Sequence, residues 1–320
     1  MRSLPGVGDR RPEEVLRQLE LLVTRRLDGL LQGDYLGLVP GPGSEPGESR
    51  PYAEGDDVRR IDWNVTARTT VPHVRDAVAD RELETWVLVD CSASLDFGTA
   101  LCEKRHLALA AVACVGFLTE RIGNRMGAVV VRPEGTTRVP ALPGRRAVLS
   151  LLHTLSSIQP ADGGGPTDLG AALKTLVRPP RRRGLTVVVS DFLSTPGWDR
   201  PLKALASRHQ VLAIEVVDPR ELELPDVGYL TLVDPETGAR RELQTAKASL
   251  RRRYAEAAAA QRDDIATTIR RAGANHLVLR TDRDWLRDVV GFVVNNRRRR
   301  DGAGRVRPAA PAPAAPVTGP

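Results

Sequence analysis

Aromatic residues are scarce in this chain. Phe, Tyr and Trp make up 4% of its 320 residues, and no stretch interleaves them with arginine as a base-stacking platform requires. Lysine is scarcer still: only Lys104, Lys174, Lys203 and Lys247 occur, so arginine supplies nearly all the positive charge behind the formal +7. None of the four follows a glycine, which excludes the G-x-x-x-x-G-K-[ST] loop that cradles nucleotide phosphates. Cysteine is limited to Cys91, Cys102 and Cys114. An odd number, without CxxC spacing or a histidine pair, argues against a disulfide framework and a zinc site and fits a reducing compartment. The five histidines, at 73, 106, 153, 209 and 276, share no ligand spacing. No apolar run approaches the roughly 20 residues that span a bilayer, and the N-terminus lacks the apolar core of a signal peptide. The expectation is a soluble, cytoplasmic protein with no membrane span.

A hydrophobic content of 41% can build a substantial core. Part of the arginine excess sits in "NNRRRRDGAGRVRP", outside any plausible core, and reads as a solvated basic tail in preference to a nucleic-acid surface. The segment 12–32, "PEEVLRQLELLVTRRLDGLLQ", spaces Leu16, Leu19, Val23, Leu27 and Leu30 by threes and fours behind Pro12 and two glutamates, the pattern of an amphipathic helix. "PGPGSEPGES" (40–49) sustains neither regular period and is a linker. Four regions follow: 1–50, helix and linker; 51–84, a charged segment with two tryptophans at its centre and just past its end; 85–296, an α/β domain; and 297–320, a disordered basic Pro/Ala tail.

Within the α/β domain, strands are read at 85–90, 126–131, 185–191, 210–218 and 276–280. Helices are read at 101–122, 145–158, 168–177, near 198–208, about 246–272 and near 283–296, with a hairpin joined by "PETG" at 227–234 and 239–244. Continuous Val/Leu/Ile runs separated by helices are what a parallel sheet covered on both faces demands. The fold class is therefore a doubly wound, mostly parallel α/β sheet.

Ligands collect outside the carboxyl ends of such strands. There the chain places "VLVDCSASLDFG", with Asp90, Ser92 and Ser94 on alternate residues; "ADGGGPTDLG", with Thr167 and Asp168; and "VVVSDF", with Ser190 and Asp191. Three readings are open for the first: a metal site, a nucleophile, or a polar turn capping the next helix. Two aspartates and three hydroxyls converging on one crevice form a hard oxygen site suited to Mg²⁺ or Mn²⁺ with an unfilled position. Asp168 reads as a helix cap, Asp96 as an exposed turn residue, and Cys91 as a small core residue. In "GDDVRRIDWN", Asp56, Asp57, Arg59, Arg60 and Asp62 suit a salt-bridged structural collar around Trp63, which is favoured, or a partner-docking surface.

These motifs carry a resemblance. "DCSAS", "GGGPTDLG" and "VVVSDF" are similar to the metal-ion-dependent adhesion site (MIDAS) of von Willebrand factor A domains, and "YAEGDDVRRIDWNVTART" resembles the signature of the bacterial domain-of-unknown-function 58 (DUF58) family. Members of that family carry a von Willebrand factor A-like domain and are usually encoded beside MoxR-type AAA+ ATPases. The resemblance covers roughly residues 12–296. It implies that Ser92, Ser94 and Thr167 ligate a metal directly, that Asp90 and Asp191 act through waters and hydrogen bonds, and that an open position accepts a partner's carboxylate. It also implies a non-enzymatic protein-binding module, the partner or adaptor of a MoxR-type ATPase, or a binder of an acidic-residue-presenting client, in chaperone-like assembly or maturation. Many members have transmembrane helices and an extra β-domain, which this chain lacks.

Two alternatives are a metal-dependent phosphatase-like hydrolase using Asp90 and a nucleic-acid binder using the arginines. Haloacid-dehalogenase-type phosphatases need a second aspartate where this chain has Ser92. A serine hydrolase needs a G-x-S-x-G elbow and a partnered histidine, neither of which is present.

Overall fold

The computed structural model describes residues 49–53, 61–75, 84–121, 123–160, 165–177 and 184–303. The helix read over 12–32, nearly all of the linker, residues Asp56, Asp57, Arg59 and Arg60, and the tail from 304 lie outside the described residues.

In chain order the elements are β1 (Ser49–Pro51), α1 (Trp63–Thr69), β2 (His73–Arg75), β3 (Glu84–Asp90), α2 (Lys104–Arg121), β4 (Arg125–Arg132), β5 (Gly135–Pro143), α3 (Arg145–Ser156), α4 (Leu169–Val177) and β6 (Leu185–Ser190). There follow α5 (Asp199–Ala206), β7 (Gln210–Val217), α6 (Pro219–Leu222), β8 (Tyr229–Val233), β9 (Arg240–Gln244), α7 (Ala248–Arg271), β10 (Asn275–Arg280) and α8 (Trp285–Ala303).

Six strands form one sheet in the order β10-β7-β6-β3-β4-β5, all parallel except β5, which runs antiparallel to β4. The continuous apolar runs are explained by the two faces. Val87, Val89, Val187 and Val189 join one core with Leu107, Val148, Leu152 and Trp285. Trp86, Leu88 and Val188 join the other with Leu169, Leu173, Leu202 and Ile269. Successive residues of a strand point to opposite faces, so both parities must be apolar. Each fully buried Val or Leu contributes roughly 1.5–3 kcal/mol. Helix α2 lies deep enough to be buried on nearly every side, as expected of a helix apolar all round.

The sequence reading placed the parallel strands and their helices close to where they lie. It missed β5. That strand, "GTTRVPALP", is mostly exposed and carries Pro140 and Pro143. An edge strand tolerates proline, and an exposed one lacks the apolar signature of its neighbours. Arg138 on β5 lies over the Trp86 ring, 4.1 Å from its centre.

One further expectation is corrected. Helix α8 continues through 297–300 to Ala303, past the expected tail boundary at 297; arginine is a good helix former. The collar read around Trp63 draws on Asp56, Asp57, Arg59 and Arg60, which lie outside the described residues; within them, Asp62 caps α1, accepting from Asn64 N (3.1 Å) and Val65 N (3.3 Å), and Trp63 at the start of that helix is 72% exposed.

The sheet leaves no room where β3 and β6 begin to pair. A Cβ on Gly184 would lie 2.1 Å from the Glu84 carbonyl oxygen, a backbone atom that cannot swing away. Gly184→Ala is expected to lower the urea midpoint, with a loss of about 1–3 kcal/mol in equilibrium unfolding.

Candidate metal centre

Strands β3 and β6 are neighbours, so Asp90 and the Ser190–Asp191 pair leave the sheet side by side. Asp90 is held from both sides: its Oδ1 accepts the Ser92 N–H at 3.0 Å and its Oδ2 accepts the Ser190 hydroxyl at 2.6 Å. A 3-10 turn, Ala93–Asp96, brings Ser94 back beside Ser92, with Oγ atoms 2.9 Å apart. Thr167 stands just before α4, where its carbonyl accepts the Thr195 hydroxyl at 3.4 Å from the loop that follows Asp191. Asp168 caps α4 by accepting the Ala171 N–H at 2.7 Å. Asp90, Ser92, Thr167 and Asp191 are buried, and Ser94 is half-buried. Asp96 is not the exposed turn residue expected: it is half-buried and ion-paired with Arg105.

The backbone at Phe192 is in the left-handed region, with φ 58°. For a bulky side chain this is an uncommon and strained conformation. It is held by burial of the ring, which packs on Trp198 at 5.2 Å between centroids, and by the Phe192 N–H donating to Ser190 Oγ at 3.0 Å. The same turn lets Leu193 N donate to Asp191 Oδ1 at 3.0 Å.

Sequence reasoning missed Lys104. Fully buried at the start of α2, it donates to Asp191 Oδ2 at 2.8 Å and pairs with Glu221. Arg262 from α7 extends the network, donating to the Asp191 carbonyl, Glu215 and Glu221, each at 3.0 Å. His276 Nε2 lies 2.7 Å from Glu215. Asp218, at the end of β7, also went unread; it binds Thr99 through N–H (2.8 Å) and hydroxyl (2.6 Å) and accepts the Thr281 hydroxyl (2.7 Å), fixing the loop after the 3-10 turn. The one local signal was the rarity of lysine. A lysine directly after a glutamate in "CEKRHLALA" gives no hint of carboxylates 87 and 117 residues away.

Burial and the neighbouring Asp191 charge push the Asp90 carboxyl up to about 6, against the pull of its Ser190 and Ser92 hydrogen bonds. Burial pushes Asp191 in the same direction, but Lys104 beside it wins and holds that carboxyl below the usual range. Burial acts to lower the Lys104 amine, and its two carboxylates more than reverse this.

A divalent ion fits this residue set on two observations. Three carboxylates, Asp191, Glu215 and Glu221, share two fixed cations, Lys104 and Arg262, and the buried Asp90 beside them is held only by Ser92 N–H and the Ser190 hydroxyl among the described residues. Among the described residues, Thr167 Oγ1 is a buried hydroxyl with no hydrogen-bond partner, and such a group costs about 1–3 kcal/mol unless something satisfies it. The donors are hydroxyl and carboxylate oxygens, which suits Mg²⁺ or Mn²⁺ over softer metals. Among the described residues no three His, Cys, Asp or Glu side chains cluster as a metal site by themselves; the hydroxyls are essential to the set. A separate cavity of about 360 Å³ reaches Asp90 from the other side, lined by Cys91, Asp96, Arg105, His106 and Ile158, and includes neither Thr167 nor Asp191.

The raised Asp90 value has a definite sign. Below pH 3.8 the group is protonated folded and unfolded, and the folded state loses stability as pH rises toward about 6. Asp191 acts oppositely, its stabilisation being lost only on acidification below its usual value. In chelator, raising the pH from 4.5 to 7.5 is expected to remove about 2 kcal/mol more stability from wild type than from Asp90→Asn, read by urea melts.

Comparisons place the chain among known sequences. A family model described as "Protein of unknown function DUF58" matches residues 48–264. "Uncharacterized protein Rv1480" of Mycobacterium tuberculosis is 57% identical over 292 residues, covering 91% of this chain and 92% of that one. "Uncharacterized protein MAV169" of Mycobacterium avium is 54% identical over 162 residues, covering 51% and 95%. Among solved structures, the conserved hypothetical protein BatB from Bacteroides thetaiotaomicron aligns with TM-score 0.42 at 17% identity, covering 68% of this chain and 99% of that one. A von Willebrand factor type A protein from Catenulispora acidiphila aligns with TM-score 0.39 at 14% identity, covering 71% and 43%. With the family match spanning most of its length, the chain belongs to the DUF58 family.

Proposed function

We propose that this protein is a metal-dependent protein-binding module rather than an enzyme. Ser92, Ser94 and Thr167 would hold a Mg²⁺ or Mn²⁺ ion through their hydroxyls, with Asp90 and Asp191 supporting it through waters and hydrogen bonds. When bound, the ion supplies a Lewis-acidic position for a carboxylate of a partner protein. The observation that carries this reading is the partnerless buried hydroxyl of Thr167, on the loop beside two buried aspartates.

The chain's own residues have defined tasks in this scheme. Ser190 and the Ser92 N–H fix the Asp90 carboxylate, Lys104 fixes Asp191, and the Phe192–Trp198 pair holds the turn that aims it. By resemblance to its family, the partner is a MoxR-type AAA+ ATPase or a client presenting an acidic residue, in chaperone-like assembly or maturation. Among the described residues no helix is long and apolar enough to cross a membrane.

A phosphatase-like reading would make Asp90 a nucleophile. Both of its oxygens are engaged by hydrogen-bond donors, its carboxyl is pushed up to about 6, and Ser92 stands where the acid/base partner would be. These features favour the binding module.

Mg²⁺ at about 100 times its dissociation constant should stabilise wild type by about 2.7 kcal/mol, and should leave Thr167→Ala and Asp90→Ala nearly unmoved in thermal melts. In affinity capture with identification of retained proteins, wild type in Mg²⁺ should retain the partner, while chelator or Asp90→Ala releases it. Equal recovery in all conditions would remove the metal bridge.

A further inference from the structure

The cavity of about 360 Å³ behind Asp90 takes no part in the metal reading. Its apolar walls come from four stretches of chain: Val89 at the end of β3, Leu95 in the 3-10 turn, Leu109 on α2, and Leu155 and Ile158 at and just after the end of α3. The first four of these side chains belong to the core on that face of the sheet, and Ile158 packs against it. Packed interiors leave few spaces larger than a water molecule. A concave apolar space of this size matches the lower end of small-molecule sites, about 300–1,000 Å³, and water against its walls is readily displaced by an apolar guest.

Arg105 holds the walls apart. From α2 it pairs with Asp96 in the turn, donates to the Ile158 carbonyl at 2.6 Å and reaches the Gln159 carbonyl at 3.5 Å. The space is therefore preformed, and a guest does not have to open it. The charges on its walls are answered within the chain. Asp96 has Arg105, Asp90 has the Ser92 N–H and the Ser190 hydroxyl, and the Glu103 side chain is 51% exposed to water. An ionic guest finds no free counter-charge here, and three carboxylates against one arginine disfavour an anion further. His106 differs from these. Half-buried on the wall, its ring makes no hydrogen bond among the described residues, and its Nδ1 lies 4.0 Å from Glu103, too far for one. Burial holds the ring below the usual histidine value, so at pH 7 it is mostly neutral, with one N–H and one lone pair on offer.

We propose that this cavity is a binding site for a small, uncharged, largely apolar molecule that carries a hydroxyl group, which His106 anchors. A hydroxyl both donates and accepts, so it suits either tautomer of the ring. The apolar body takes the place of water against Val89, Leu95, Leu109, Leu155 and Ile158. This site stands whether or not the crevice on the far side of Asp90 binds metal, because it shares neither Thr167 nor Asp191.

2-Naphthol is the probe, and 2-naphthoate the same skeleton with a negative charge. Binding at pH 7 is measured by calorimetry, and its place by methyl NMR, for wild type, Ser156→Phe and His106→Leu, with urea midpoints to check folding. 2-Naphthol should bind wild type saturably and shift the methyls of Val89, Leu95, Leu109, Leu155 and Ile158, leaving those of Leu169 and Leu173 across the sheet unmoved. Ser156 lines the cavity at the end of α3, so Ser156→Phe should fill the space and abolish binding. His106→Leu keeps the bulk and loses the hydrogen bond, which should weaken binding about fivefold. Unsaturable binding, or shifts centred on Leu169 and Leu173, would overturn the site. Full affinity in folded Ser156→Phe would do the same. Unchanged affinity in His106→Leu would overturn the anchor, and 2-naphthoate binding as tightly as 2-naphthol would overturn the uncharged class.

Discussion

The arrangement depends on two buried carboxylates at the ends of adjacent strands, with one lysine between them and the rest of the charge network. Asp90 and Asp191 cannot both be comfortably ionised in a dry crevice, and Lys104 settles the asymmetry by pairing with Asp191. Asp90 is left as the less stable anion. The serines on either side, the left-handed turn at Phe192 and the latch at Asp218 all serve to hold this pair in place.

The fold makes such a pair possible at modest cost elsewhere. A parallel sheet sends β3 and β6 out of the same edge, and the two apolar cores on its faces keep both strands rigid up to their last residue. The loops beyond are then free to carry polar groups without disturbing the core. Buried ion pairs contribute little net stability by themselves. The Lys104–Asp191–Arg262–Glu215 network is better understood as positioning: it ties α2, α7 and β7 to the loop that carries Asp191.

What the sequence by itself determined was the alternation of strands and helices, the parallel class of the sheet, the strand-end positions of Asp90, Ser92, Ser94 and Asp191, and the place of Thr167 just before a helix. Apolar periodicity and turn residues are local signals, and the strand-end rule converts them into a site. It gave no sight of β5, whose exposed residues and prolines lack that periodicity, and it misjudged Asp96, whose partial burial beside Arg105 depends on how the turn packs. Only the tertiary structure decided that Lys104, Glu221 and Arg262 belong to one network with Asp191. Their partners lie tens to more than a hundred residues away along the chain, and an ion pair formed across that distance leaves no pattern in the residues on either side of it.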